Sequence, residues 1–164
     1  MLKPIVACSL ILASAGCAAI MKAQQEEEAR KEARAIQVRE ARSACYEGVK
    51  RDDLAGSLYD VLTGRRYKVT TAIRGSVATD WNEDGNGNRS KVEARVEEGR
   101  TETCKVVTLT VTIETKDPAT GNWAAASQEI VTGIEDGIYL DIHTKAKTLE
   151  PAKPATAEAS AGQQ

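Results

Sequence analysis

The chain reads as an α+β protein, and three observations carry that reading. Residues 18–50 contain no Pro, and Gly only at Gly48, and are dense in Ala, Glu, Gln, Lys and Arg, the strong helix formers. Leu54, Leu58, Val61 and Leu62 then fall at i, i+4, i+7 and i+8, the apolar face of a second, shorter helix. From Tyr67 the period changes to two, with turn residues between five or six short alternations. Two helices followed by strands at hairpin spacing predict a small antiparallel sheet.

The first helix is polar nearly all round. Glu26 with Arg30, and Glu27 with Lys31, stand at i, i+4 in the favoured order, each pair contributing about 0.2–0.5 kcal/mol. Its apolar stripe is thin: Ala29, Ala33, Ile36 and Cys45. Such a helix bridges through solvent as a spacer, docking only near Ile36 to Val49. The second helix, residues 51–66, has Asp52 or Asp53 as N-cap and Gly64 as terminator.

The strands follow in order. Tyr67, Val69, Thr71 and Ile73 share a face, as do Val77, Thr79 and Trp81. Val92, Ala94 and Val96 alternate with Lys91, Glu93, Arg95 and Glu97, a strand with one solvated face. The longest strand is Thr103 to Thr115, where Val107, Leu109, Val111 and Ile113 oppose Thr108, Thr110 and Thr112. Cys104 and Val106 are out of phase with the apolar set, and a bulge near Val106-Val107 would restore it. Asp117 to Asn122 is a turn, Trp123 to Thr132 a weaker strand, and Gly133 to Gly137 another turn. Ile138, Leu140 and Ile142 alternate with Tyr139, Asp141 and His143 in a last strand. Residues 144–164 lack apolar periodicity and are expected to be a disordered tail.

The first residues set the address. Met1 to Cys17 has one positive charge, an apolar run and a small-residue exit, the parts of a bacterial export signal. Ala15-Gly16-Cys17 resembles the lipobox of bacterial lipoproteins, with Ser14 where Leu is usual. The resemblance implies lipidation of Cys17 and, with Ala18 following it, an outer-membrane address. Ala13-Ser14-Ala15 offers the competing cut, which would release a soluble periplasmic protein starting at Gly16. The divisions expected are thus 1–16 signal peptide, 17–50 charged helical spacer, 51–143 β-rich domain with a short leading helix, and 144–164 tail.

Composition narrows the rest. The formal net charge is −2, so no polyanion partner, and no nucleic acid, is implied. Phe is absent, which leaves a lean core of Val, Ile, Leu and Ala. With Cys8 removed in the leader and Cys17 lipidated, Cys45 and Cys104 remain in an oxidising compartment. A disulfide between them is expected, and two separate buried thiols are the alternative.

Three candidate sites remain. Asp80, Asn82 and Asp84 occupy positions 1, 3 and 5 of a stretch that resembles the start of an EF-hand calcium loop, with Gly85 at the sharp turn and Asn88 at position 9. Position 12 is Lys91, where a bidentate Glu belongs, and Asp-Gly and Asn-Gly are also plain hairpin chemistry. If calcium binds, these three are its ligands. His143, the only His, shares the polar side of the last strand with Asp141 and could serve acid–base chemistry. No Ser or Cys nucleophile in a readable motif accompanies it, and a solvated strand residue is the plainer reading. No phosphate loop, zinc spacing or basic aromatic patch is visible.

Trp81-Asn82, Gly85, Gly87, Val92, Cys104, the Thr-rich strand and Asp136-Gly137 together resemble the C-terminal domain of rickettsial-type surface antigen lipoproteins. The match spans about half the chain. The family's second domain Cys is missing, and its glycine zipper is replaced by the charged helix. The resemblance implies envelope structure or surface exposure and brings no catalytic residues. The expected function is a non-catalytic cell-envelope lipoprotein, held at the membrane by its N-terminal lipid and presenting a β-rich module to an envelope protein partner. A soluble periplasmic calcium-responsive module is the alternative.

Overall fold

The computed structural model describes residues 7–149, with side chains from residue 20 onward. The chain forms two compact units, residues 1–40 and 41–164.

The first unit is helical. It carries most of α1 (Ala7–Arg42), a helix of 36 residues, about 54 Å long at 1.5 Å per residue. Every described side chain from Ile20 to Gln37 is exposed. Glu27 pairs with Lys31 at 2.6 Å as expected. Glu26 instead reaches back to Lys22 at 3.9 Å. Cys17 lies on this helix, but its side chain is outside the described set.

The second unit is an α+β module. After α1 come β1 (Tyr46–Glu47), α2 (Arg51–Gly64), β2 (Val69–Ile73), β3 (Ser76–Thr79), β4 (Asn82–Glu83), β5 (Asn88–Glu98), β6 (Cys104–Lys116), β7 (Trp123–Ala125) and α3 (Gln128–Ala146). The sheet is antiparallel throughout, in the order β1-β6-β5-β3-β2. β4 extends beside β5 and β7 beside β6. α2 and α3 pack on one face of the sheet. Leu54, Leu58 and Leu62 of α2 and Ile138 and Ile142 of α3 are fully buried against Val77, Val92, Ala94 and Val96. Polar groups in this core are satisfied: the Tyr67 and Ser90 hydroxyls bond at 2.9 Å. The Val92 N–H is donated to Thr79 Oγ1, also at 2.9 Å.

Several expectations change. The expected strand Ile138–His143 is helical, and so are the turn expected at Gly133 to Gly137 and the second half of the strand expected from Trp123 to Thr132. Ile134, Ile138 and Ile142 repeat every four residues, so the segment covers the sheet as a helix face. α3 also runs into the expected tail, where Ala146 is fully buried. Residues 150–164 of that tail lie outside the described residues. The first helix stops at Arg42 rather than continuing to residue 50, because Tyr46 and Glu47 pair with β6. β5 and β6 keep register from Asn88↔Thr115 to Glu98↔Lys105, with no bulge at Val106-Val107. Cys104 is buried without one, through its disulfide. Neither Asp52 nor Asp53 caps α2. The N-cap is Lys50, and both Asp residues sit in the first turn, where they face the positive end of the helix dipole. α2 terminates through Arg66 at φ 67°, not Gly64. Tyr67 N–H donates to Leu62 C=O and Arg66 N–H to Thr63 C=O, closing a Schellman turn.

Candidate binding surface

The sheet face away from the helices is where the structure assembles something the sequence did not reveal. On β5 this face carries Arg89, Lys91, Glu93 and Arg95, and on β6 Thr108, Thr110, Thr112 and Glu114 lie opposite them. Among the described residues of the module no helix buries it, yet it holds both tryptophans of the chain. The chain jogs at Asp80-Trp81 between β3 and β4, which sets Trp81 beside β5. At the other side the Asp117–Asn122 turn folds β7 back on β6, so that Trp123 pairs with Lys116. Asp117 closes that turn by accepting the Ala119 N–H at 2.7 Å. That bond and those from Thr120 hold its carboxyl below the ordinary aspartate range.

Arg89 lies between the two indoles. Its guanidinium stands 4.5 Å from the Trp81 ring and 4.4 Å from the Trp123 ring. Its Nε donates to Glu114 Oε2 at 2.7 Å. Lys91 stands over Trp81 at 5.5 Å and Lys116 over Trp123 at 5.7 Å. Exposed cation–π contacts contribute about 0.5–1 kcal/mol each and desolvated ones about 2. Arg89 keeps 26% of its side chain exposed, so its two contacts stay near the exposed figure. Trp and Arg are also the residues enriched at binding hot spots. Arg89, Lys91, Lys116 and both tryptophans thus form a basic aromatic patch that was invisible in sequence, because its members come from β5, β6, β7 and the jog between β3 and β4.

The other end of this face is stapled. Cys104 shares the alternation of Thr108, Thr110 and Thr112, and it is bonded to Cys45 with the Cα atoms 5.4 Å apart. The expected disulfide is present. Gly99 packs over it so closely that a Cβ there would lie 2.3 Å from Cys104 Sγ.

The other candidates separate. Asp84 spends its carboxylate on the hairpin, accepting from Asn86 N–H at 2.7 Å, Asn88 N–H at 3.1 Å and Asn88 Nδ2 at 2.9 Å. The Asn88 amide, and then the Asn86 N–H, hold its acid below the ordinary range. Asp80 accepts the Trp81 N–H at 2.9 Å and lies 3.8 Å from Lys68. Asn82 sits in β4 opposite Ser90. Among the described residues no group of three His, Cys, Asp or Glu side chains converges. Asp141 pairs with Arg65 at 2.7 Å, whereas His143 Nδ1 meets the Tyr46 hydroxyl at 3.3 Å. The helical course of α3 therefore sends the two to different partners. The Asp136-Gly137 turn on which the surface-antigen resemblance partly rested is inside α3, and Asp136 binds Arg42 at 2.8 Å. No helix among the described residues is long and apolar enough to cross a membrane. No protein-family model matches the chain, and no curated protein sequence matches it significantly.

Proposed function

We propose that this protein is a non-catalytic cell-envelope lipoprotein. Lipid on Cys17 anchors it to the outer membrane, helix α1 spaces the module from the bilayer, and the α+β module binds an envelope protein partner. The observation that carries the reading is the Cys45–Cys104 disulfide, because such bonds persist in exported proteins and are rare in the reducing cytosol. The division of the chain into a helical unit and a module supports the spacer reading.

Intact mass of the mature protein, expressed with its own leader in a bacterial host, tests the anchor. The expected product starts at a lipid-modified Cys17 and partitions with membranes, while Cys17→Ser appears in the soluble fraction. An unmodified product starting at Gly16 overturns the anchored reading.

A further inference from the structure

The hairpin loop between β4 and β5 holds two asparagines in opposite situations. Asn88 has both ends of its side-chain amide engaged: Nδ2 donates to Asp84 Oδ2 at 2.9 Å, and Oδ1 accepts from Thr115 Oγ1 at 2.9 Å. Asn86 is exposed, and among the described residues its side-chain amide has no hydrogen-bond partner. Only its backbone N–H is engaged, donated to Asp84 Oδ1 at 2.7 Å. Asp84 also takes the Asn88 N–H at 3.1 Å and passes over the residue between them. The Gly87 N–H has no partner among the described residues.

Gly87 leaves that nitrogen open to attack the residue before it. Its φ is 83°, in the region that favours glycine, and a Cβ placed on it would meet no atom within 4 Å. An unhindered backbone nitrogen directly after an unheld carboxamide has its reaction partner already tethered beside it. The chain has four asparagines, and the other three, Asn82, Asn88 and Asn122, precede Glu83, Arg89 and Trp123. Asp84 also precedes a glycine, but its carboxylate is tied by the three bonds from Asn86 and Asn88.

We propose that Asn86-Gly87 is a self-modification site, at which Asn86 converts to aspartate and isoaspartate with water as the co-reactant, and that the change loosens the Trp81–Arg89–Trp123 stack. The Gly87 nitrogen gives its proton to solvent and bonds to Asn86 Cγ. The Cγ–Nδ2 bond breaks, and the leaving nitrogen takes up a proton and departs as ammonia. Water then opens the cyclic imide. Opening at Cγ leaves an ordinary aspartate. Opening at the backbone carbonyl carbon of residue 86 leaves isoaspartate, with the main chain running through Cβ and Cγ. Nothing is oxidised or reduced, and the sum is water gained and ammonia lost.

The product reaches the aromatic patch in two ways. The new carboxylate shares the turn with that of Asp84, which already accepts the Asn86 N–H, and like charges so placed repel. Isoaspartate also lengthens the main chain just before Gly87, whose C=O accepts the Lys116 N–H at 2.7 Å and ties the loop to β6. Lys116 pairs with Trp123, and Arg89 lies just beyond Asn88 on the same hairpin. The site stands whether or not Cys17 carries lipid.

Incubation of the folded, full mature protein near neutral pH, followed by peptide mapping with mass spectrometry, tests the chemistry. Asn86 is expected to gain the mass of water less that of ammonia at least about tenfold faster than Asn82, Asn88 or Asn122, because its neighbour alone lacks a Cβ. Aspartate and isoaspartate peptides should both appear, separated by their elution. A lead of less than about tenfold overturns the site. Asn86→Ser removes the carboxamide without breaking a side-chain bond, so it keeps the fold and controls for ageing elsewhere in the chain. Intrinsic Trp emission from the same samples tests the coupling. A red shift that grows with the converted fraction in wild type and is absent from Asn86→Ser is expected. Emission that stays constant while Asn86 converts, or that shifts equally in the variant, overturns the link to the stack.

Discussion

The two faces of the sheet are held by different physics. The helix-covered face is aliphatic and closed by area alone, with Leu54, Leu58, Leu62, Ile138 and Ile142 fully buried. The open face has no second layer among the described residues of the module and is held at its two ends. At one end stands the Cys45–Cys104 bond and at the other the Trp81–Arg89–Trp123 stack. Between them Thr108 and Thr110 stay exposed. The difference shows how a chain without Phe stabilises a sheet wider than its helices can cover. Aliphatic burial is reserved for the face with a lid, and a covalent bond and stacked cations secure the face without one.

The comparison can be broken one support at a time. The largest expected effect is loss of the staple. Cys45 and Cys104 are separated by 59 residues, and a loop of that size gives about 4 kcal/mol in the chain-entropy model. The double Cys→Ser variant should lose stability on that scale in urea denaturation, with its far-UV spectrum retained at low denaturant. A loss under about 1 kcal/mol would show that the open face does not depend on its covalent end. Next is the lidded face, where Leu58→Ala should cost about 3 kcal/mol through the cavity it leaves. Because Leu58 lies far from the stack in kind and on the opposite face, its cost should add to that of Arg89→Ala, and strong coupling between the two would contradict separate supports.

Arg89→Ala should cost about 1–2 kcal/mol, the sum of two stacking contacts and a partly exposed ion pair. Since both tryptophans sit in this stack, intrinsic Trp fluorescence reports on it alone, and a red shift in the folded variant is expected. An unchanged emission maximum would rule out the stack as the indoles' main environment. The smallest effect concerns the hairpin that delivers Trp81 and Arg89. Asp84 has its folded pKa lowered, by the Asn88 side chain first. Its contribution is therefore present above the unfolded value, about 3.9, and is lost as pH falls through the lower folded value. The amide resonances of Asn86 and Asn88 should shift together below about pH 4, while those of β5 beyond Val92 stay in place.

The α+β class, α2, the central strands, the Asp117–Asn122 turn and the disulfide were legible from residue spacing and cysteine usage. α3 was not, because Ile138 to His143 satisfies a period of two as well as a period near four. Gly133 and Gly137 made the two-residue reading more attractive. Gly137 has a use inside a helix, since the Arg65 side chain crosses it within 2.9 Å of where a Cβ would stand. The spacing of Ile130, Ile134, Ile138 and Ile142 was the available signal, and it needed a window longer than a strand. The aromatic patch was out of reach for another reason. Trp81, Arg89 and Trp123 belong to no shared motif and meet only once β4, β5 and β7 have taken their places.

The position of Cys45 has a mechanical consequence. It lies three residues past the end of α1 and just before the two-residue strand β1. Tension drawn along α1 would peel so short a strand away one hydrogen-bonded pair at a time. The disulfide diverts that load across a covalent bond into β6. There it meets an eleven-residue ladder with β5, from Asn88↔Thr115 to Glu98↔Lys105, in which many bonds share the strain at once. Under the proposed N-terminal anchor the domain would thereby be gripped through its longest strand, and a pull on the tether would be resisted by the body of the sheet.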